Sequence, residues 1–297
     1  MQELDERVAD DRPGIGRPEV EVEVGVLGPV RVVGAPRPFR RAWTLELVVY
    51  LALHPQGATS DAWATALWPD HLPADPTRHS TVSAARRSLG RSLAGGDHLP
   101  RSHGFLRLAP SVGTDWGRFA RLAGSSDPAG WAEAMSLVRG RPFEGLRSPD
   151  WAVLEGVAAR IEDVVVQTAL RLADARLVAD QGHDAEVAVR QGLLVSPYDE
   201  RLYRRLLEAA DCQGNPAGVE SAMAELLRLV GGDGSGTGPG AVATRPANRL
   251  LDLAAWVHPE TARLYRALTR RRCRVGRGPL AADAEPAAAG SGAVPGW

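Results

Sequence analysis

The spacing of apolar residues changes at Trp43, and that change constrains the fold more than any other feature. Glutamate and valine alternate from Glu19 to Val26, a period of two that places every valine on one face of a half-buried antiparallel strand. Gly28 and Pro29 turn the chain, and Val30 to Val33 predicts a second strand. From Trp43 onward apolar residues recur every three or four positions, which predicts helices. The chain is therefore expected to be mostly α, with a small N-terminal β component.

The segment after these strands predicts a helical unit that ends in a hairpin. A first helix runs from Trp43 to Leu53, and Ser60 is expected to cap a short second helix. A third helix is expected from about Thr77 to Leu93, and two short strands folded about Gly104 follow within Leu99 to Leu108. A helix beside such a hairpin is typical of a winged helix-turn-helix domain. In that domain the helix enters the major groove of DNA and the wing reaches the neighbouring minor groove.

The net charge of −1 conceals an uneven distribution of arginine, in a chain that has no lysine. Between Arg37 and Arg107 there are nine arginines and five acids, whereas between Thr114 and Val230 there are thirteen arginines and eighteen acids. Within the third helix, taken as Pro76 to Leu93, there are four arginines and no acid. Arginine on one side of a helix suits salt-sensitive, sequence-independent contact with phosphate. A solvated, arginine-rich surface helix would have the same composition.

The candidate DNA-contacting residues lie on this helix and at the tip of the hairpin. They are Arg78, His79, Ser80, Thr81, Ser83, Arg86, Arg87, Arg101, Ser102 and His103. The helix residues are expected to face bases or phosphates, and the hairpin residues the minor groove. Because adjacent helix positions point about 100° apart, we expect only one of Arg86 and Arg87 to face phosphate. The other would brace the domain by pairing with an acid such as Asp61 or Asp70.

Residues from Thr114 onward predict a second, helical domain that contains an internal repeat. A long helix covers Leu154 to Val178, and Gln181–Ala185 matches Gln213–Ala217 at an offset of 32 residues. Helix pairs repeated at such a period are typical of tetratricopeptide-like arrays, whose helices bury apolar faces by stacking. We therefore expect a disordered lead-in, a winged-helix domain, a helical domain and a disordered tail. Their expected bounds are residues 1–18, 19–112, 113–272 (with a flexible insertion at 231–253) and 273–297.

Residues that the chain lacks exclude several kinds of chemistry. No lysine follows the glycine-rich run at 231–240, so this run is not a phosphate-binding loop, and Schiff-base chemistry is excluded as well. The two cysteines form no Cys-x-x-Cys motif, and no two histidines share metal-ligand spacing. We therefore expect no catalytic residue, no metal site, no cofactor and no enzyme activity.

The N-terminus and the apolar stretches indicate a soluble, cytoplasmic protein without a membrane partner. Residues 1–11 are acidic, where an export signal needs cations followed by an apolar run. The most apolar stretch, Thr44 to Leu53, is ten residues long and contains Glu46, whereas a membrane span needs about 20.

Motifs in both halves of the chain resemble one family of two-domain regulators. The motifs are Leu67–Asp70, Thr81–Gly90, Thr114–Trp116, Gly140–Phe143, Trp151, Ser196–Glu200 and His258–Thr261. They resemble the winged helix and the bacterial transcriptional activation domain of the actinobacterial antibiotic-regulatory (SARP-type) transcriptional activators. The resemblance implies an activator that binds repeated promoter sites on double-stranded DNA as a homodimer and recruits RNA polymerase through its helical domain. Ala84 and Ala85 replace an arginine and a leucine of the family pattern, which predicts a lost DNA contact and a thinner core.

Two functions are therefore open from the sequence. The first is a DNA-binding transcriptional regulator that acts through the winged helix and the helical domain. The second is a non-enzymatic interaction scaffold, in which a degenerate winged helix docks a protein and the repeat groove binds a peptide. The salt dependence of duplex binding separates the two, because only a protein that contacts phosphates loses affinity steeply as salt rises.

Overall fold

The computed structural model describes residues 20–102, 104–230 and 256–275. The first half of the chain contains β1 (Val22–Gly25), β2 (Arg31–Val33), α1 (Ala42–Leu53), β3 (Ala58–Thr59), α2 (Ser60–Leu67), α3 (Asp75–Leu89), β4 (Phe105–Leu106) and β5 (Val112–Thr114). The second half contains α4 (Asp115–Ala123), α5 (Pro128–Ser136), α6 (Asp150–Leu154), α7 (Val157–Val178), α8 (Gly182–Val195), α9 (Glu200–Cys212), α10 (Pro216–Val230) and α11 (Pro259–Val275). The lead-in at 1–18 and the insertion at 231–253 lie outside the described residues. The described part of α11 extends three residues into the predicted tail.

The N-terminal strands form a three-stranded sheet with β1 at its centre. β2 pairs with β1 in antiparallel register, whereas β5 pairs with it in parallel, with Val22 opposite Val112. The alternation buries Val22 and Val24 completely, although β1 begins at Val22 rather than at Glu19. β5 is not among the predicted strands, because its three residues show no period of their own and its pairing partner is distant in sequence.

The winged-helix core consists of α1, α2 and α3 with a two-stranded sheet beside them. β3 pairs antiparallel with β4, so that Ala58 lies opposite Leu106. The predicted hairpin within Leu99 to Leu108 is therefore wrong in its first arm, since β4 pairs with a strand that precedes α2. Leu99 is fully buried, and it contributes to the core instead of to a strand.

The ends of two helices differ from their predicted positions. The N-cap of α2 is Thr59 rather than Ser60, because the Thr59 hydroxyl accepts a hydrogen bond from the backbone of Ala62 at 3.2 Å. α3 starts at Asp75 and ends at Leu89, where Gly90 adopts a positive φ of 75°. The helix therefore contains an acid and three arginines rather than four arginines and no acid.

The helices of the second half stack in sequence order. α8 packs on α7, α9 on α8 and α10 on α9, and α11 returns to pack on α9. The two copies of the predicted repeat lie at the turns that lead into α8 and α10. Gly182 allows the first of these turns to approach α9, because a Cβ at this position would lie 2.9 Å from the Ala209 carbonyl oxygen.

Backbone hydrogen bonds join the two halves just after β1. The amide of Arg139 donates to the Leu27 carbonyl at 2.7 Å, and segment 139–144 runs beside the turn between β1 and β2. Gly28 permits this approach, because a Cβ there would lie 2.9 Å from the backbone nitrogen of Gly140. The helical half is consequently held against the sheet that supports the winged helix.

A buried carboxyl group on α1 forms a second link between the halves. Glu46 is 1% exposed, and its Oε1 accepts a hydrogen bond from the backbone nitrogen of Arg147 at 2.8 Å. Burial raises the pKa of Glu46 above its ordinary value of 4.5, and the hydrogen bond from Arg147 only partly opposes that effect.

This raised pKa predicts a pH dependence that the variant Glu46→Gln should lack. Because the folded state binds the proton more tightly than the unfolded state, wild-type stability should decline relative to the variant as pH rises above 4.5. The difference should level off once Glu46 is ionised in the folded protein as well. Urea unfolding from about pH 4 to pH 7 measures this difference. Glu133→Gln, at an exposed position of α5, should show no such trend. A stability difference between wild type and Glu46→Gln that does not change with pH would contradict the prediction.

Candidate nucleic-acid interface

α3 presents a polar face to solvent next to the wing. The helix packs against α1, with Val82, Ala85 and Leu89 on its buried side. Four of the predicted contact residues are exposed on the other side, namely His79, Ser80, Ser83 and Arg87. This face is uncovered, as a helix that enters a DNA groove requires.

Arg78 differs from the expectation because two carboxylates already bind its guanidinium. It forms ion pairs with Asp75 of its own helix and with Asp61 of α2, the latter at 3.0 Å. These hydrogen bonds, that to Asp75 first, raise the pKa of Arg78. The side chain thus fastens the start of α3 to α2, and its charge is balanced within the domain.

Arg86 and Arg87 have different roles, as the 100° between adjacent helix positions predicts. Arg86 donates from Nε to the Leu99 carbonyl at 3.1 Å and from a terminal nitrogen to the Pro100 carbonyl at 3.3 Å. Burial, followed by the nearby charge of Arg101, lowers the pKa of Arg86. The prediction that the bracing arginine pairs with Asp61 or Asp70 is wrong, since Arg86 binds carbonyl groups and the Asp61 carboxylate binds Arg78.

The remaining arginine of this helix is available to an external anion. Arg87 is exposed, and its Nε donates to the Ser83 carbonyl one turn earlier at 3.3 Å. No carboxylate among residues 20–102, 104–230 and 256–275 lies within ion-pair distance of it. The positive charge of Arg87 on the exposed face of α3 is therefore not balanced by any of these residues.

The predicted role of Thr81 requires a correction. Thr81 is 5% exposed, and its hydroxyl donates to the Thr77 carbonyl at 2.9 Å, so it lies on the packed side of α3. Ser80 is exposed, and its hydroxyl also donates to the Thr77 carbonyl at 2.9 Å. The Ser80 oxygen retains acceptor capacity, whereas Thr81 is turned away from any groove that α3 could enter.

The wing is the segment around β4, residues 101–102 and 104–107. Two of its three predicted contact residues are exposed. The side chain of Arg101 is 81% exposed and pairs with Asp97 at 3.1 Å, an exposed ion pair of the kind that contributes little to stability. Ser102 is exposed, and its hydroxyl donates to the Phe105 carbonyl. His103 lies outside the described residues. Arg107, which is not among the predicted contact residues, is exposed directly after β4.

A cleft of about 200 Å³ separates α3 from the wing. Its walls include His79, Ser83 and Arg86 from the helix, and Ser102 and Phe105 from the wing. The cleft has hydrogen-bonding groups along both sides and an aromatic edge, since Phe105 is 39% exposed. The helix face, the cleft and the wing therefore form one continuous polar surface, which we call the α3–wing surface.

Comparison with known proteins identifies one architecture. No protein-family model and no curated protein matches the chain. A solved structure of Mycobacterium tuberculosis EmbR in complex with a low affinity phosphopeptide matches 86% of this chain and 71% of that chain, at 22% sequence identity and a TM-score of 0.53. The two chains share a fold. The predicted fold class, mostly α with a small N-terminal β component and a winged helix-turn-helix domain followed by a helical repeat domain, is confirmed.

None of the described helices is long and apolar enough to cross a bilayer. In the same residues, no three histidine, cysteine, aspartate or glutamate side chains come together in a group that could hold a metal ion.

Proposed function

We propose that this protein is a DNA-binding transcriptional regulator that uses the α3–wing surface to contact duplex DNA. The observation that carries the proposal is the uncovered polar face of α3 beside an arginine-bearing wing. A helix of this kind enters the major groove, and a wing of this kind reaches the adjacent minor groove. The fold shared with EmbR and the motifs that resemble antibiotic-regulatory activators support this proposal. They favour a regulatory role over an enzymatic one.

We propose different tasks for the predicted site residues, according to the contacts that each makes within the domain. His79, Ser80 and Ser83 are proposed to contact bases or phosphates, and Arg87 to contact phosphate. Arg101, Ser102 and His103 are assigned to the minor groove. Arg78 and Arg86 are positioning residues, because one fixes the start of α3 and the other holds the segment that leads to the wing. Thr81 belongs to the core.

The helical domain is the proposed contact for RNA polymerase. Val187 and Leu194, seven positions apart on α8, are each 47% exposed, and Tyr198 just beyond them is 65% exposed. Residues seven apart lie on one face of a helix, and apolar groups exposed together mark protein-contact surfaces. We propose that this face contacts RNA polymerase during activation.

We also propose that two copies of the chain bind repeated DNA sites as a homodimer, as the resemblance to antibiotic-regulatory activators implies.

One observation favours the alternative, an interaction scaffold with a degenerate winged helix. Two of the three arginines of α3 are already satisfied, Arg78 by carboxylates and Arg86 by carbonyls. A winged helix that retains a single free arginine on this helix could dock a protein instead of DNA. The salt dependence of binding decides between these functions.

Arg87→Gln is expected to reduce the salt dependence of duplex binding. Each phosphate contact contributes about −0.9 to the slope of log K against log salt concentration, so the slope of the variant should be shallower by about 0.9. Fluorescence anisotropy with a labelled genomic fragment retained by the wild-type protein, at several salt concentrations, measures the slope. Enrichment of direct repeats among the retained fragments would support the homodimer.

Arg121→Gln provides a control of equal charge change. Arg121 is exposed in the last turn of α4, away from the α3–wing surface, and its replacement should leave the slope unchanged. If wild type shows no salt-dependent binding to any duplex, the scaffold replaces the regulator. If Arg87→Gln and Arg121→Gln have the same slope, Arg87 does not contact phosphate.

A further inference from the structure

The C-terminal helix α11 has a net positive charge, whereas the rest of the helical domain has a net negative charge. Its sequence contains six arginines and one acid, Glu260, whereas residues 114–230 contain more acids than arginines. Arginine near a helix C-terminus is favoured by the helix dipole, but that effect is confined to the last turn. Arg263 lies in the first half of α11, so the dipole does not account for the whole set.

The acid of α11 is used where the helix begins. Glu260 lies 3.6 Å from Arg204 of α9. The Glu200 carboxylate of α9 accepts hydrogen bonds from the backbone of His258 at 2.9 Å and from the Thr261 hydroxyl at 2.7 Å. These contacts anchor the first turn of α11 on α9, and they leave the following turns without a carboxylate of their own.

The rest of α11 has one packed face and one basic face. Ala262, Tyr265 and Leu268, at helical spacing, are buried. Arg270 and Arg271 are exposed near the described end of the helix. Among the residues that the structure describes, no carboxylate lies within ion-pair distance of either guanidinium. The exposed charge is therefore not neutralised within the described part of the chain.

The basic face lacks the apolar anchors that a protein partner would need. Within the described side chains of α11 no large apolar residue is strongly exposed, while protein interfaces have an apolar core. Contacts to the nucleic-acid backbone need only cations and hydrogen-bond donors. Arginine, the only basic side chain besides histidine in this chain, binds phosphate through two parallel hydrogen bonds.

We infer that the basic face of α11 binds the sugar–phosphate backbone of duplex DNA outside the segment covered by the α3–wing surface. The inference rests on the proposed function, and adds a second, sequence-independent contact supplied by the helical domain. Such a contact increases affinity for long duplexes without changing which sequence is preferred.

The test compares two double variants of the full chain on two duplex lengths. Arg270→Gln/Arg271→Gln removes two cations from α11, and Arg121→Gln/Arg160→Gln removes two exposed cations from α4 and α7. One duplex has about one helical turn, enough for the α3–wing surface, and the other about four turns. On the long duplex the α11 variant should have a slope of log K against log salt that is shallower by at least about 0.9, the contribution of one phosphate contact, because adjacent helix positions point about 100° apart. On the short duplex the slopes should agree.

Each outcome decides between named alternatives. Equal slopes of the two double variants on the long duplex, with unchanged thermal melting, overturn the inference. Loss of binding to polyglutamate by the α11 variant, with DNA binding intact, assigns the face to an acidic protein instead and also overturns it. If Arg87→Gln has no effect while the α11 variant lowers the slope, the proposed role of α3 fails and the α11 contact stands. If wild type binds no duplex, both fail.

Discussion

Asp115→Ala is expected to lower the free energy of unfolding by about 3–5 kcal/mol, the cost of breaking a buried ion pair from one side. Asp115 is 2% exposed. Its carboxylate accepts hydrogen bonds from the backbone of Val26 at 2.7 Å and of Leu27 at 3.1 Å, and from the Arg139 guanidinium at 3.0 Å. Alanine would leave two backbone donors and a half-buried cation without this partner.

Urea unfolding measures the effect, with Asp150→Ala as the matched control. Asp150 also lies in the first turn of a helix, α6, but is exposed, so its replacement should change stability by no more than about 0.5 kcal/mol. Asp115→Asn keeps an oxygen that can accept from the backbone of Val26 and should cost less than Asp115→Ala. Equal costs for Asp115→Ala and Asp150→Ala would show that the carboxylate does not join the two halves.

The position of Asp115 explains why this link affects both halves. It is the first residue of α4 and follows β5 directly, so one carboxylate connects the central sheet, the first helix of the helical domain and Arg139. The backbone pairing of Arg139 with Leu27 lies beside it. The central sheet and the helical domain are consequently joined by short-range hydrogen bonds.

Long periodic elements could be predicted from the sequence, whereas the pairing of the shortest strands could not. The spacing of apolar residues predicts α1 and the long helix α7, the latter observed at Val157–Val178 against an expected start at Leu154. β3 and β4 have two residues each, too few for an alternating pattern. Their pairing depends on a contact between segments nearly 50 positions apart, which no local pattern encodes.

The exposed face of α3 was predictable, but the state of its arginines was not. Arg78 is neutralised in part by Asp61, 17 positions away, and Arg86 by carbonyls of a segment expected to be a strand. A signal for Thr81 was present, since it lies four positions before the buried Ala85 and seven before the partly polar, buried Ser88. Because its side chain is polar, Thr81 was predicted to be exposed, although it lies on the buried side of α3.

Trp151→Ala is expected to lower the free energy of unfolding by about 3–5 kcal/mol, as for other large aromatic side chains removed from a core. Trp151 is 2% exposed. Its ring lies edge-on to Tyr50 of α1, 5.0 Å between centroids, and 5.9 Å from Phe143. Phe143 has a positive φ of 63°, a strained backbone that packing must hold in place. Removing the indole therefore leaves a cavity between α1 and the helical domain and removes a side chain that packs against Phe143.

Two variants separate loss of packing from other effects of the change. Trp151→Phe retains an aromatic ring and removes an indole nitrogen that has no hydrogen-bond partner among the described residues, so its cost should be clearly smaller than that of Trp151→Ala. Trp256→Ala removes the same side chain from a position that is 55% exposed and should be nearly neutral. Urea unfolding gives all three values. Because α3 packs on α1 rather than on α6, folded Trp151→Ala should still bind the short duplex. If short-duplex binding is lost together with stability, the winged helix depends on the helical domain for its shape.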